Sequence, residues 1–264
     1  RGGASICLLH TAYAWAQVAL ALVLLAFVAL FGAERWNFMV LVLALVPVSV
    51  LFLLFGAKFP PREKSAPARA SFKPFYLFAV LAVFFGYGTE VVMNQWISAF
   101  TASLGGEAGG LIGCAAFALC LGVGGTVYSF VSGKRKDMPL FLLCASALLA
   151  AAAYIGAALA PSDLLALAFA ALCGVFAGML SPGAMTAASD FLPRSGGWML
   201  ASLAVSQDIG AAVLPSAAGA LSEGSSLRTS FLVMSLVPFF AAAALLLMAL
   251  ARAKSGKKRP KFPR

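Results

Sequence analysis

Eight long apolar segments constrain the fold of this chain more than any other feature of its sequence. A bilayer core requires about 20 apolar residues per helix, and each segment has about that length or more. Only helices and closed barrels satisfy their backbone groups in lipid, and these runs are too long and continuous for barrel strands. The sequence therefore predicts an all-α polytopic membrane protein with eight transmembrane helices. The segments cover about 6–32, 38–57, 75–102, 110–132, 138–160, 164–190, 197–221 and 229–251.

The distribution of basic residues indicates the topology. If Arg1 is cytoplasmic, 17 of the 19 Lys and Arg residues fall on the cytoplasmic side, and only Arg35 and Arg228 fall on the other. This asymmetry follows the positive-inside rule. We therefore expect an integral protein of the plasma (cell) membrane with both termini in the cytoplasm. The net charge of +10 then reflects topology, and we expect no nucleic-acid partner.

The sequence lacks the usual patterns of catalytic and metal sites. It has one His, no Gly-x-Ser-x-Gly, no His-Glu-x-x-His and no phosphate-binding Gly-Lys-Ser/Thr. The five cysteines lie in apolar segments without a Cys-x-x-Cys pair, which is typical of packing residues. We therefore expect no enzymatic activity, no cofactor and no metal.

One polar connection divides the chain. Residues 58–74, "KFPPREKSAPARASFKP", form the longest polar connection, and their Pro-rich, basic composition is typical of a linker. We expect this linker to be cytoplasmic, with two helices in 1–57 before it. A six-helix bundle in 75–251 and a basic cytoplasmic tail in 252–264 follow it. The other connections are short, which predicts that consecutive helices pack as antiparallel pairs.

Four motifs occur in a characteristic order: "SICLLHTAYAWAQ" (5–17), "GYGTEVVMNQWISAF" (86–100), "GMLSPGAMTAASDFLPRSGG" (178–197) and "SQDIGAAVLPSAAGALSE" (206–223). In order, spacing and topology they resemble the major facilitator superfamily, in its sugar-permease-like branch. Members have two six-helix bundles joined by a cytoplasmic linker. The resemblance implies that this chain corresponds to the fifth to twelfth helices and that the first four helices of the same polypeptide are missing.

Glu90 is the most informative single residue. It lies near the middle of the third segment, where a charged side chain costs about 2.5–3.5 kcal/mol on insertion scales. Such residues usually face the interior of a bundle and mark substrate or proton pathways. Asn94, Ser98 and Thr101 follow Glu90 at helical spacing and complete a polar stripe. The sequence predicts that Glu90 couples transport to protons; the alternative is a structural acid hydrogen-bonded to a neighbouring helix.

Asp208 is the second carboxyl near the centre of a segment, and it is a further candidate for proton coupling or for a tie between two helices. The resemblance implies alternating access around a central cavity that holds a small polar solute, for which a sugar-like compound is one candidate. The expected partners are this solute, protons, the lipid bilayer and the missing helices. The candidate solute-binding residues are Asn94, Gln95, Trp96, Gln17 and Gln207.

Two alternatives remain open, a complete eight-helix scaffold or channel and a membrane-embedded enzyme. The enzyme would use Glu90, Asp208 and His10, and requires that the three converge. The resemblance instead implies that the third and sixth segments, with parts of the first, fourth and seventh, line a cavity. Within the sixth segment, Gly174 and Gly178 predict close helix packing, and "SPG" at 181–183 predicts a kink.

Overall fold

The computed structural model describes residues 2–58, 74–105, 109–134, 139–191 and 196–256, which form helices and no strand. The predicted linker lies almost entirely outside the described residues, as does the tail after Gly256. A short 3-10 helix, Ala33–Arg35, joins the first two α-helices. The α-helices are α1 (Gly2–Phe31), α2 (Trp36–Gly56), α3 (Pro74–Ser103), α4 (Gly109–Lys134), α5 (Pro139–Leu159), α6 (Asp163–Ala177), α7 (Leu180–Phe191), α8 (Gly196–Gly224), α9 (Leu227–Met234) and α10 (Leu236–Gly256).

These helices provide eight stretches that are long and apolar enough to cross a membrane, which confirms the predicted all-α architecture with eight spans. Six spans contain one α-helix each, which in the second span follows the short 3-10 helix. The sixth and the eighth each consist of two helices, α6 with α7 and α9 with α10, and are therefore broken where the hydropathy pattern alone predicts one continuous helix.

A proline follows closely after each of the two breaks. A proline inside a helix lacks the N–H donor, and its ring clashes with the carbonyl four residues earlier. Four residues before Pro182 is Gly178, where α6 has just ended, and four residues before Pro238 is Met234, where α9 ends. The kink expected from "SPG" in the sixth span is therefore confirmed.

Helix α3 is the centre of the packed region. It contacts α4, α6, α7, α8, α9 and α10, and its buried residues extend from Phe75 to Thr101. Helix α2 is the opposite case, because Met39 is its only buried residue. A helix that is apolar on every side has no face that specifies a protein neighbour over lipid.

The short connection between α1 and α2 does not produce the expected antiparallel pair. Helix α1 packs on α4 and α7 instead. Its contact with α4 is close because the indole of Trp15 lies over Gly122, where a Cβ would be 3.1 Å from the ring. The indole N–H of Trp15 also donates to Thr126 Oγ1 of α4 over 3.3 Å. The expectation was therefore wrong for α1 and α2, whereas α3 packs on α4 and α5 on α6.

Glycines allow α4 and α6 to approach at the level of their backbones. A Cβ on Gly174 would lie 2.7 Å from the carbonyl oxygen of Phe117, and one on Gly178 would lie 2.3 Å from that of Leu121. On the α4 side, a Cβ on Gly124 would lie 1.9 Å from a carbonyl oxygen of α6. The close packing predicted for Gly174 and Gly178 is therefore confirmed, and it brings the break after α6 against α4.

Candidate functional site

Glu90 lies inside the bundle. Its side chain is only 6% exposed, near the middle of α3. It borders a small cavity of about 10 Å³ between α1, α3, α4 and the break between α6 and α7. That volume is about the minimum that holds one water molecule. The lining residues are His10, Thr11, Tyr13, Ala14, Tyr87, Glu90, Leu121, Gly178, Ser181 and Pro182.

A larger cavity, of about 250 Å³, lies beside the small one. Its lining consists of Leu9, His10, Tyr13, Tyr87 and Gln207, so α1, α3 and α8 all contribute. Three of these side chains, those of His10, Tyr13 and Tyr87, line both cavities. The small cavity beside the buried carboxyl group is therefore adjacent to the larger one.

A chain of hydrogen bonds follows the wall of the larger cavity. The hydroxyl of Tyr13 accepts hydrogen bonds from Gln17 Nε2 over 2.7 Å and from the Tyr87 hydroxyl over 3.4 Å. The side chain of Gln207 interacts with the same Tyr87 hydroxyl. On its other side, Gln207 Oε1 accepts from Ser181 Oγ over 3.0 Å. The chain therefore joins α1, α3, α8 and α7 through uncharged groups.

The polar side chains of the larger cavity lie at a similar depth along their three helices. Tyr13, Tyr87 and Gln207 lie 11 to 13 residues after the first residue of α1, α3 and α8. At 1.5 Å per residue this is about 17–20 Å along each helix, close to the middle of a bilayer-spanning helix. The larger cavity and its hydrogen bonds therefore lie at mid-depth.

The other predicted site residues of α3 lie elsewhere. Asn94 is half-buried, and its backbone carbonyl accepts from Cys114 Sγ over 3.7 Å. Gln95 is exposed. Trp96 lies against α8, where its indole N–H donates to the carbonyl of Pro215 over 3.1 Å. None of these three side chains lines either of the two cavities.

Asp208 does not reach the cavities either. Its neighbours Ser206 and Gly210 face α3, because Ser206 Oγ donates to the carbonyl of Val80 and Gly210 lies against that of Phe84. Asp208 is two residues from both, so it points to the opposite side of α8 and is exposed. Glu90 and His10 both line the small cavity, but Asp208 does not. The three groups that the enzyme alternative requires therefore do not converge.

The sequence reasoning missed Tyr87 and Ser181 as candidate site residues. Tyr87 lies one turn before Glu90 on the same side of α3, so the spacing that identified the polar stripe extends backwards to it. Ser181 directly precedes Pro182, the residue that breaks the sixth span, and such breaks leave polar groups near a cavity. In the described part of the chain, no group of three or more His, Cys, Asp or Glu residues could hold a metal ion.

Comparison with known proteins identifies the family. The sequence profile of the Major Facilitator Superfamily matches residues 97–264, which is more than half of the chain. The chain belongs to the major facilitator superfamily. The resemblance found in the four sequence motifs is thereby confirmed.

Solved structures of major facilitator proteins have the same fold. The chain superimposes on the Escherichia coli fucose:proton symporter FucP with a TM-score of 0.62 at 20% identity, over 83% of this chain and 55% of that one. A structure of FucP in the outward conformation gives a TM-score of 0.60 at 21% identity, over 83% and 54%. The chain thus spans about half the length of these structures. A search of the curated proteins finds no match.

Proposed function

We propose that this major facilitator chain forms part of a secondary active transporter that moves a small polar, sugar-like solute together with protons. The observation that carries the proposal is the placement of Glu90, a buried acid beside a cavity at mid-depth in a membrane-spanning bundle. FucP, which shares the fold, is a fucose:proton symporter, and this supports the choice of solute and coupling ion.

The surroundings of Glu90 favour proton coupling over a purely structural role. Among the described residues, no hydrogen bond or ion pair joins its carboxyl group to a neighbouring helix. A buried polar group without partners is costly, so an acid kept for stability alone should be paired. A carboxyl group that alternately takes up and releases a proton requires access to water. The small cavity, which has room for about one water molecule, provides that access.

The proposed transport cycle uses the two cavities. Glu90 is protonated when the cavity is open to the side of higher proton concentration, and the solute enters the adjacent space. Rocking of the two halves of the full-length transporter then opens the cavity to the other side. On this proposal residues 1–57 belong to the end of the first half, residues 75–251 form the second half, and 58–74 is the cytoplasmic linker.

Asp208 has a separate proposed role. An exposed charge at the centre of a spanning helix is costly in lipid, so such groups face water or another part of the protein. We infer that Asp208 faces the first half of the full-length transporter across the central cavity. Asn94, Gln95 and Trp96 remain candidates for contact with the solute in a state in which the halves have moved.

The proposed function has a direct test. The full-length protein is reconstituted into liposomes, and uptake of radiolabelled L-fucose, D-glucose and D-galactose is measured with and without an inward proton gradient. We expect the gradient to drive accumulation of at least one of these sugars above its equilibrium level. Transport of none of them under either condition would contradict the proposal.

The proposed topology predicts a one-sided cleavage. Trypsin should cut the linker at Arg62, Lys64 or Arg69 when it acts from the cytoplasmic side, because these residues lie in a polar, Pro-rich connection. Inside-out vesicles and right-side-out vesicles of the same cells provide the comparison, with fragments detected by an antibody against the C-terminus. Cleavage of the linker in right-side-out vesicles would show that the orientation is reversed.

A further inference from the structure

We infer that His10 relays protons between water in the larger cavity and the carboxyl group of Glu90. The inference rests on the proposed proton-coupled transport, and it adds the route by which the proton reaches its site. His10 is the only histidine of the chain, and the proposed transport cycle gives it no role.

The position of His10 links the two cavities. His10 lines the small cavity together with Glu90, and it also lines the larger cavity. Glu90 itself lines only the small cavity of the two. The larger cavity is the more open space, so water in it exchanges more readily with the surrounding solvent. His10 therefore borders both the more open space and the space that holds the buried acid.

Among the side chains that border both cavities, only His10 has the chemistry of a relay. The other two are the phenols of Tyr13 and Tyr87. A free imidazole gains and loses a proton at about pH 6.5, whereas a phenol releases its proton only at about pH 10. A neutral imidazole accepts a proton on one ring nitrogen and, as imidazolium, donates from the other. Near neutral pH, His10 is thus the one of the three that can take up an extra proton and pass it on.

The hydrogen bonds around the larger cavity leave the imidazole free for this task. The two phenols are bonded to each other, because the Tyr87 hydroxyl donates to that of Tyr13. His10 has no hydrogen bond or ion pair with any residue in the described part of the chain. A histidine with a structural role usually donates a ring N–H to a fixed partner. Both ring nitrogens of His10 therefore remain for water.

The charges around the two cavities direct the proton towards Glu90. The described lining residues that can titrate all lie on α1 and α3: His10, Tyr13, Tyr87 and Glu90. None of the described lining residues from α4, α7 or α8 is titratable, and none from any helix is Lys or Arg. Among these groups, the carboxylate of Glu90 is the only anion near neutral pH. It therefore attracts the proton of an imidazolium at His10.

The proposed transfer balances in protons and charge. Water in the larger cavity protonates one ring nitrogen of His10. The imidazolium then gives the proton on its other nitrogen to a water molecule in the small cavity, which passes one of its own protons to the Glu90 carboxylate. The result is a neutral imidazole and a carboxylic acid. The small cavity has room for about one water molecule, and the reverse order of steps releases the proton.

The first test compares two modes of sugar movement in proteoliposomes of full-length His10→Gln. The probe is whichever of L-fucose, D-glucose and D-galactose a proton gradient accumulates. Net entry of labelled sugar without an imposed pH gradient requires Glu90 to load and release its proton in each cycle, whereas counterflow does not. Because the amide cannot carry a proton, His10→Gln should slow net entry at least about 10-fold and leave counterflow near the wild-type rate. The protons carried per sugar should not change, because a relay affects the rate of transfer and not the number transferred.

The second test is chemical rescue of His10→Ala, which separates a relay from a side chain that only fills space. Added imidazole should restore part of the rate of net entry. Pyrazole is the matched control, because its ring has the same size but is not protonated near neutral pH, and it should restore nothing. Parallel additions to wild-type liposomes correct for effects on the membrane.

Three results would overturn the inference: net entry at the wild-type rate in His10→Gln, no rescue of His10→Ala by imidazole, or equal rescue by pyrazole. Size-exclusion profiles and counterflow check that both variants fold. If His10→Ala does not fold, the rate of net entry in His10→Gln decides alone.

Failure of this inference is distinguishable from failure of the proposed function. Wild-type protein that accumulates sugar with a proton gradient, together with His10→Gln that does so at the same rate, would contradict the relay and support the proposed function. Wild-type protein that moves sugar without protons would contradict the proposed function, and with it any relay to Glu90.

Discussion

Glu90→Gln in the full-length protein is expected to abolish proton-driven accumulation of solute and to leave exchange of solute across the membrane largely intact. The amide keeps the size and the hydrogen-bonding capacity of a protonated carboxyl, so the geometry of the site should survive. It cannot release a proton, so the coupling step is lost. The measurement compares counterflow with pH-gradient-driven uptake in proteoliposomes.

Two further variants calibrate this result. Glu90→Ala should bind solute more weakly than Glu90→Gln, because it leaves a void where the carboxyl lies buried. Asp208→Asn should have a smaller effect on accumulation, because Asp208 is exposed and lines neither cavity. If Glu90→Gln accumulates solute like the wild type, Glu90 is not the proton site and its role is structural.

Gly124→Ala is expected to cause the largest loss of stability among conservative substitutions in the spans. The new methyl group would lie 1.9 Å from the carbonyl oxygen of Val175, so α4 and α6 could coexist only by moving apart. Overpacking of a core typically costs about 1–3 kcal/mol, and a clash between two backbones should reach at least the upper end of that range. Thermal unfolding in detergent and the yield of monodisperse protein measure the effect.

The matched control for this prediction is Gly56→Ala. Gly56 also lies in a spanning helix, but a Cβ there would meet no atom within 4 Å among the described residues. Its thermal midpoint should therefore stay at the wild-type value. Equal stability of Gly124→Ala and Gly56→Ala would show that α4 and α6 do not approach as closely as the structure places them.

The sequence alone predicted the spans and the burial of Glu90, because both follow from strong local signals. A run of about 20 apolar residues defines a spanning helix whatever its neighbours are. A carboxyl in the middle of such a run must avoid lipid, so it is expected inside the bundle, as for Glu90, or facing water or another part of the protein, as proposed for the exposed Asp208. The break after α6 was also predicted, from the Ser-Pro-Gly sequence at 181–183.

The composition of the cavity wall was less predictable. Helical spacing shows which side chains share a face, but not the neighbouring helix that this face meets. Trp96 belongs to the polar part of α3, and only the position of α8 shows that its indole bonds to the backbone at Pro215. Tyr87 becomes a site residue only because α1 brings Tyr13 to it. The position of α1 is in turn supported by the packing of Trp15 on Gly122 of α4, a contact between residues far apart in sequence.

The most direct measurement of the central proposal is the movement of protons when solute is added. The full-length protein is reconstituted into liposomes that contain a trapped pH-sensitive dye, with no gradient imposed at the start. Addition of the sugar that binds should acidify the interior, and Glu90→Gln liposomes should show no change while they still exchange sugar. Entry of sugar into wild-type liposomes without acidification would contradict proton-coupled transport through Glu90.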